Sequence, residues 1–224
     1  MPRHLWALAL SLTACSSTEE APETRSAVWP LVYSQDFSKG ESLEELSFSD
    51  HRAWRWAPPT KGVPGSLELA GESFYRPKLR SPYCIALLHG RVYQSFVLEA
   101  DLMQTGEEYG HRDLCLFFGF QNPEKFHYVH MASTPDDHAH NIFIVDEAPR
   151  IKTSPVSAQG VDWGTGIWHK VRVERDVEAG TTKVYFDDML TPVLSAKNET
   201  LNWGLIGFGS FDDIGRFANV KIWA

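Results

Sequence analysis

Short runs of residues, either alternating between apolar and polar or almost wholly apolar, follow one another along most of the chain. Clusters of Gly, Pro, Asn and Asp separate these runs, and no long segment repeats its apolar residues at the three- and four-residue steps of a helix. The runs that fit strands are LVYSQDF, SLELAG, YCIALLH, SFVLEADLMQ, DLCLFFGFQ, FHYVHMA, NIFIVD, WHKVRVERD, TKVYFDD, GLIGFGSF and FANVKIWA. About a dozen strands in one domain predict an all-β fold, a two-sheet antiparallel jelly-roll sandwich.

Two of the runs also predict how their strands are buried. In SFVLEADLMQ, every second residue from Phe96 to Leu102 is apolar, and the positions between them include Glu99 and Asp101. Because successive side chains of a strand point to opposite faces, one face should meet the core and the other should be partly wet. The run LCLFFGF is apolar on both faces, so it should form a central strand that is covered on both sides.

The N-terminal stretch MPRHLWALALSLTAC differs from the rest of the chain. A basic residue precedes an apolar run from Leu5 to Ala14, which is shorter than the about 20 residues of a transmembrane helix and is typical of a signal peptide. The last four residues, Leu-Thr-Ala-Cys, resemble the bacterial lipobox. This resemblance implies that residues 1–14 are a lipoprotein signal peptide and that Cys15 is lipidated. The alternative is an ordinary signal peptide whose cleavage site contains a cysteine.

The segment after the signal peptide, residues 15–27, is rich in Ser, Thr, Glu, Ala and Pro and poor in large apolar residues. Such a composition predicts a flexible tether between the lipid and the domain. Residues 28–224 then have the length of a single domain. The serine after the cysteine resembles the pattern of outer-membrane lipoproteins. We therefore expect a protein of the bacterial cell envelope that faces the periplasm or the cell surface.

The charge of the chain limits its partners. The formal net charge is −8, and no segment concentrates Lys and Arg. Nucleic acid is not an expected partner, because phosphate binding needs concentrated positive charge. For the same reason, the membrane should be reached through a lipid and not through the surface of the domain.

Two cysteines, Cys84 and Cys115, lie in apolar runs of the domain. An exported protein could join them in a disulfide, and the alternative is a pair of buried free thiols on neighbouring strands.

The C-terminal third has a distinctive order of elements. It reads WHKVRVERDVEAGTTKVYFDDMLTPVL and then WGLIGFGSFDDIGRFANVKIW, that is, two strands around a turn, a Gly-rich strand and a final apolar strand. This order resembles the end of concanavalin A-like lectin/glucanase domains, including the laminin-G-like type. The segment YSQDFSKG resembles their first strand, which pairs near the last one. The resemblance covers nearly all of residues 28–224 and implies the jelly-roll fold, with Trp168 in the core.

Within this superfamily, the chain is similar to bacterial exported domains of the 3-keto-disaccharide hydrolase-like type. Those domains usually carry an Asn-Ser-Gly-Ile strand where this chain has Asp113-Leu-Cys-Leu-Phe-Phe-Gly. The resemblance therefore implies a carbohydrate partner without fixing the reaction. Ligands of the superfamily lie across the concave sheet or on the loops at its rim.

The stretch FHYVHMASTPDDHAHN holds four of the nine histidines of the chain. Alternation places Phe126, Tyr128 and His130 on one face of a strand, which we expect to face the ligand, although the reverse assignment is open. The linker QNPEK joins this strand to the preceding run. In a hairpin, the start of one strand meets the end of the next, so EEYGHRDL and STPDDHAHN should lie at the same rim.

This convergence predicts a carbohydrate site. Sugar binding needs aromatic faces and planar polar groups, and proton transfer suits a histidine whose pKa is near neutrality. The predicted catalytic residues are His130, His138, Asp113 and Asp137. The predicted substrate-binding residues are His111, Arg112, Tyr128, His140, Asn141 and, from the separate segment HRAWRWAPP, Trp54. Arg112 could hold an anionic group or a developing oxyanion.

The histidine-rich loop has two other interpretations. His138 and His140 are two residues apart and would point the same way in an extended segment, so they could bind a divalent metal with Asp136 or Asp137. Alternatively, the loop could be merely solvated.

Other acidic residues carry weaker signals. Glu99-x-Asp101 matches only part of the Glu-x-Asp-x-x-Glu pattern of the glucanase branch and is interpreted as a wet strand face. The sequence requires no cofactor, although Asp36 and Asp212-Asp213 could supply oxygen ligands to a structural calcium.

The sequence thus predicts an exported, lipid-anchored, carbohydrate-active domain that hydrolyses or eliminates a modified glycoside. The alternatives are a non-catalytic glycan-binding or adhesion module of the cell envelope and a surface lipoprotein that binds another protein.

Overall fold

The computed structural model describes residues 29–155, 157 and 159–224. The predicted signal peptide, the lipidation at Cys15 and the tether lie outside the described residues and stay predictions. Within them, strands follow one another along the chain, with two short 3-10 helices, Gly40–Glu45 and His51–Ala53. No helix in these described ranges is long and apolar enough to cross a membrane.

The strands have the following bounds, in chain order: β1 Leu31–Gln35, β2 Leu46–Phe48, β3 Trp54–Ala57, β4 Ser66–Leu69, β5 Cys84–Leu88, β6 Phe96–Gln104, β7 Leu114–Asn122, β8 Lys125–Met131, β9 Asn141–Asp146, β10 Ile151–Lys152, β11 Trp168–Asp176, β12 Thr181–Phe186, β13 Leu194–Lys197, β14 Leu205–Ser210 and β15 Gly215–Trp223.

The strands form two antiparallel sheets that enclose an apolar core. The eight-stranded sheet has the order β13-β12-β11-β6-β15-β4-β3, and β1 pairs with β15. The seven-stranded sheet has the order β10-β9-β8-β7-β14-β5-β2. The predicted all-β jelly-roll sandwich is confirmed, including the pairing of the first strand with the last.

The predicted burial of two strands is also confirmed. On β6, Phe96 and Leu98 lie in the core between the sheets, whereas Glu99 and Asp101 lie on the opposite face and pair with cationic side chains of β11. This is the wet strand face that the sequence indicated. The central strand β7 is covered on both faces.

The sequence pattern did not predict four of the strands: β2, β3, β10 and β13. They have only two to four residues and are the outermost strands of the two sheet paths. Short edge strands carry too few alternating residues for a period-two pattern, and their shortness limits the exposed backbone edge that another chain could pair with.

Cys84 and Cys115 are free thiols, so the disulfide alternative is wrong. Cys84 is on β5 and belongs to the core between the sheets, while Cys115 is on β7 and belongs to a cluster on the other face. Strand β14 lies between β5 and β7, so the thiols are not on neighbouring strands. Burial raises the pKa of the Cys84 thiol to about 12.

A second apolar cluster covers the outer face of the seven-stranded sheet. Its buried members include Phe117, Phe126 and Phe143, and the partly buried Leu79 and Phe211 pack against them. The segment before β5 and the loop after β14 therefore cover this face. They leave a cleft near the rim where β7 begins and β8 ends.

Candidate functional site: a cleft at the rim of the seven-stranded sheet

The cleft is a cavity of about 170 Å³. The hairpin of β7 and β8 pairs Cys115 with His130, so the start of one strand and the end of the next lie side by side, as the sequence predicted. Residues from five separate stretches of the chain line the cleft: Arg80, Tyr83, Tyr109, His111, Asp113, His130, His138, Arg150, Phe211 and Asp212.

His130 lies on the outer face of the seven-stranded sheet, which settles the orientation of β8 left open by the sequence. The side chain is only 4 % exposed. Its Nδ1 accepts the backbone N–H of His140 at 3.3 Å, so the neutral ring carries its proton on Nε2. Burial, helped by the positive charge of Arg150, lowers the pKa of His130 to about 3. At neutral pH, His130 therefore offers the cleft an Nε2–H donor.

Asp113 lies beside His130, with 4.0 Å between its Oδ2 and Nε2 of the histidine. The carboxyl is 1 % exposed. It accepts the Ser210 hydroxyl at 3.0 Å and the Cys115 thiol at 2.8 Å. Burial raises the pKa of Asp113 well above its usual range, and the neighbouring Asp213 adds to this effect. Asp113 is therefore the best candidate in the cleft for a carboxyl that holds its proton near neutral pH.

Arg150 is one of the side chains of the site that sequence reasoning missed. Its guanidinium lies 4.4 Å from the ring centre of Phe143 and 4.9 Å from that of Phe211. It donates to the Tyr128 hydroxyl at 2.5 Å and to the His138 carbonyl at 3.0 Å. Arg150 thus ties the histidine-rich loop to the sheet.

Tyr128 does not offer its ring to a ligand, contrary to the sequence prediction. The side chain is fully buried, stacks on Phe143 with ring centres 5.2 Å apart, and uses its hydroxyl to hold Arg150. Its effect on the site is to position that arginine. Trp54 is also placed differently from the prediction, because it is 7 % exposed and packs in the core against Phe48 and Phe217.

Arg112 and Asn141 are likewise buried, and both form hydrogen bonds within the protein. Arg112 donates to the carbonyls of Gly106 and Gly164 and to the Thr165 hydroxyl, so it ties two loops together rather than facing the cleft. The amide of Asn141 exchanges hydrogen bonds with Ser154. The structure therefore places both of these predicted substrate-binding residues outside the lining of the cleft.

The two histidines of the loop do not point the same way. His140 has a positive φ of 50°, which breaks the alternation of an extended segment, and its Nδ1 accepts the Ala132 N–H inside the protein. His138 is exposed and lines the cleft. The two imidazoles therefore do not form the metal-binding pair that their spacing indicated. Asp137 is exposed and pairs with Lys152.

His111 lines the cleft and pairs with Asp136 at 2.8 Å, which links the loop before β7 to the histidine-rich loop.

Three carboxylates gather at one side of the cleft. One oxygen from each of Asp113, Asp212 and Asp213 lies within 4.8 Å of the others. Asp36 is not in this group, and its carboxylate accepts the N–H of Ser38 in its own turn. Calcium takes about six to eight oxygen ligands, of which this group would supply only part. The structural calcium stays a prediction.

Several polar groups in the cleft make no hydrogen bond to any described residue. Within the described part of the chain, Arg80, Asp212, the His138 imidazole, the Tyr83 hydroxyl and Nε2 of His130 make no hydrogen bond. Polar side chains that converge on a cavity without partners are what a ligand site requires.

Comparison with models of known protein families and with curated proteins finds no match. Among solved structures, a carbohydrate binding module CBM66 from Bacillus subtilis is similar, with 15 % identity, a TM-score of 0.56 and coverage of 80 % of this chain and 96 % of that one. The carbohydrate recognition domain of Emp46p has 12 % identity, a TM-score of 0.57 and coverage of 87 % and 97 %. The chain has the concanavalin A-like jelly-roll fold.

A third solved structure, a candidate glycosyl hydrolase from Parabacteroides distasonis, has 15 % identity, a TM-score of 0.54 and coverage of 86 % of this chain and 99 % of that one. All three identities are low, so they establish a shared fold, and one fold hosts many activities.

Proposed function

We propose that the protein recognises a carbohydrate and holds one sugar ring in the rim cleft. The observation that carries this proposal is the convergence, on one small cavity, of five polar groups that make no hydrogen bond among the described residues. These groups include both donors and acceptors, as sugar hydroxyls require. A cavity of about 150 Å³ can hold a benzene ring, so the 170 Å³ of the cleft suits a single ring.

The aromatic residues of the cleft support the same proposal. Tyr83 and Phe211 form an edge-to-face pair with ring centres 5.7 Å apart, and both line the cavity. Aromatic rings offer an apolar surface to the C–H face of a sugar, and the polar groups select its hydroxyls. Neighbours of the same fold include a carbohydrate binding module and a carbohydrate recognition domain.

A second candidate function, hydrolysis or elimination of a modified glycoside, is favoured by one observation. A buried carboxyl with a raised pKa, Asp113, has an oxygen within 4.8 Å of one from Asp212. Retaining glycosidases place an acid and a nucleophilic carboxylate about 5–5.5 Å apart. In this proposal, Asp113 donates the proton to the leaving oxygen, Asp212 acts as the second carboxylate, and the neutral His130 orients the substrate.

One experiment separates the two functions. The purified protein is titrated calorimetrically with a panel of monosaccharides and disaccharides, including 3-keto derivatives, and products are followed by mass spectrometry. Asp212→Asn and His138→Ala should each weaken binding by about tenfold or more, since hydrogen bonds to charged groups are worth about 1.5–3 kcal/mol. His89→Ala, an exposed change outside the cleft, is the control.

The Asp113→Asn variant distinguishes catalysis from binding alone. Loss of product with retained binding would establish hydrolysis or elimination, whereas binding without product from any substrate would leave recognition as the function. No binding to any sugar would contradict both.

We propose further that a lipid on Cys15 anchors the protein in the outer membrane of a bacterial cell. The support for the lipid is the Leu12–Cys15 pattern, and the support for the outer membrane is Ser16, which follows it. Metabolic labelling with a fatty-acid analogue should mark the wild type and not Cys15→Ser, and equal labelling of both would overturn the proposal.

A further inference from the structure

We infer that the sugar held in the cleft carries a carboxylate, as a uronic acid does. This inference rests on the proposed recognition of a carbohydrate and names the class of sugar. The observation behind it is that two guanidinium groups, those of Arg80 and Arg150, line the same cavity and neither forms an ion pair with a carboxylate of the described residues.

Arg150 is fixed in place before any ligand arrives. The rings of Phe143 and Phe211 lie on its guanidinium, and two of its donors are used by the Tyr128 hydroxyl and the His138 carbonyl. A guanidinium has five N–H donors, so further donors remain for a ligand. Because the group is already ordered, little conformational entropy is lost when an anion binds to it.

Arg80 completes the cationic side of the cleft. It is exposed, comes from the segment before β5, and makes no hydrogen bond or ion pair among the described residues. Two arginines without an ion pair thus line one small cavity in a chain whose formal net charge is −8. Like charges held together are unfavourable, and an anionic ligand would relieve the repulsion.

The acidic residues of the cleft form no ion pair with either arginine. Asp113 is buried, and burial raises its pKa well above the usual range. The carboxylate of Asp213 already accepts the Tyr109 hydroxyl and the backbone N–H of Asp113. Asp212 alone of the cleft carboxylates faces the cavity unpartnered. Neither guanidinium forms an ion pair with a carboxylate of the described residues, so both keep donors for a carboxylate of the ligand.

The donors in the cleft suit a carboxylate. An ionised carboxylate only accepts hydrogen bonds and takes planar, bidentate contacts from arginine. The Nε2–H of His130 adds a neutral donor at the base of the cavity. A sugar ring that fits the cavity would therefore place its carboxylate against the two arginines and its hydroxyls against His138 and Asp212.

The test compares matched sugars. The purified protein is titrated calorimetrically with glucuronic, galacturonic, mannuronic and guluronic acids and with the corresponding neutral sugars, at low and high salt. One acid should bind at least about tenfold more tightly than its neutral partner, and salt should weaken the acid more than the neutral sugar. Arg80→Gln should remove most of this preference, because it should weaken binding of the acid far more than binding of the neutral sugar.

The control is Lys61→Gln, which removes an exposed positive charge outside the cleft and should change neither affinity. Binding of neutral sugars without preference for any acid, or an equal loss of both affinities in Arg80→Gln, would overturn this inference and keep the proposed function. Equal binding of the matching sugar 6-sulfate would overturn the choice of a carboxylate. No binding of any sugar would overturn the inference and the proposed function together.

Discussion

The backbone N–H of His140 donates a hydrogen bond to Nδ1 of His130 at 3.3 Å, and this contact decides which ring nitrogen of His130 carries the proton. With Nδ1 occupied as an acceptor, the proton of the neutral ring lies on Nε2, the atom near Asp113. A histidine in this state is a hydrogen-bond donor to the cleft. The loop that bends back at His140 therefore sets the chemistry of a residue ten positions earlier.

The buried histidines predict how stability depends on pH. Burial lowers the pKa of His130 to about 3 and the pKa of both His127 and His140 to about 4. Below about pH 6.5, the unfolded chain binds protons at these positions and the folded chain does not. The stability that they contribute should therefore be present above pH 6.5 and be lost as pH falls towards 4. Asp113 and Asp212, whose pKa values are raised by burial, act in the opposite direction.

His130→Gln tests this dependence, because a glutamine carbonyl can still accept the His140 N–H. The free energy of unfolding, measured by urea denaturation between pH 7 and 5, should fall less steeply in the variant. The slope should differ by up to about 1.4 kcal/mol per pH unit, the effect of one proton. His89→Gln, an exposed change, should keep the wild-type slope. Identical slopes for all three proteins would show that His130 is not buried in its neutral form.

Arg150→Lys should weaken sugar binding by about tenfold or more, with a smaller effect on stability. Lysine keeps the charge but cannot donate in fixed directions to both the Tyr128 hydroxyl and the His138 carbonyl. The histidine-rich loop would then lose its tie to the sheet. Calorimetric titration measures the affinity, and limited proteolysis measures the release of the loop. Arg91→Lys, outside the cleft, is the control, and unchanged affinity in Arg150→Lys would contradict the role of this arginine.

The fold could be predicted from the sequence because long strands repeat their burial every second residue. The alternation on β6 and the apolar β7 placed both strands correctly, and the hairpin of β7 and β8 brought Asp113 and His130 together. Alternation is a local property, so it assigns faces well. It fails where the backbone leaves the extended region, as it does at His140 with its positive φ.

The rest of the cleft could not be predicted because its residues come from distant segments. Arg80, Arg150 and Phe211 reach the cavity from the segment before β5, the turn after β9 and the loop after β14. No spacing in the sequence relates these positions. The prediction for Trp54 failed for a different reason. The local sequence did not show that the face of β3 that carries Trp54 packs on the core.

Gly209→Ala should strongly destabilise the fold, because Gly209 lies on β14 between two strands that leave no space for a side chain. A Cβ there would lie 1.9 Å from the Cys84 carbonyl oxygen and 2.9 Å from the Phe117 ring. Overpacking of a core typically costs about 1–3 kcal/mol, and a clash with backbone should reach the upper end. Gly71→Ala meets no atom within 4 Å and is the matched control.

Urea denaturation of both glycine variants gives the comparison. Equal stability of Gly209→Ala and Gly71→Ala would contradict the close approach of β14 to β5.

Trp163, and not Trp168, is the buried tryptophan of this region, which corrects the sequence expectation. Trp168 opens β11 half-buried, whereas Trp163 is 2 % exposed and contacts Phe186 edge-on with ring centres 5.0 Å apart. Its Nε1–H donates to the Met131 carbonyl at 3.0 Å. Met131 ends β8 and directly follows His130, so this tryptophan supports the strand end that carries the site.

Trp163→Phe should therefore lower the free energy of unfolding by about 2–4 kcal/mol. It leaves the buried Met131 carbonyl without this donor and removes part of a large ring from the core. Trp203→Phe, at a residue that is 50 % exposed, should change stability by no more than about 0.5 kcal/mol. Urea denaturation of the two variants measures the difference. Because the hydrogen bond fixes the end of β8, Trp163→Phe should also weaken sugar binding. A loss of stability with unchanged sugar affinity would show that His130 keeps its position without the hydrogen bond from Trp163.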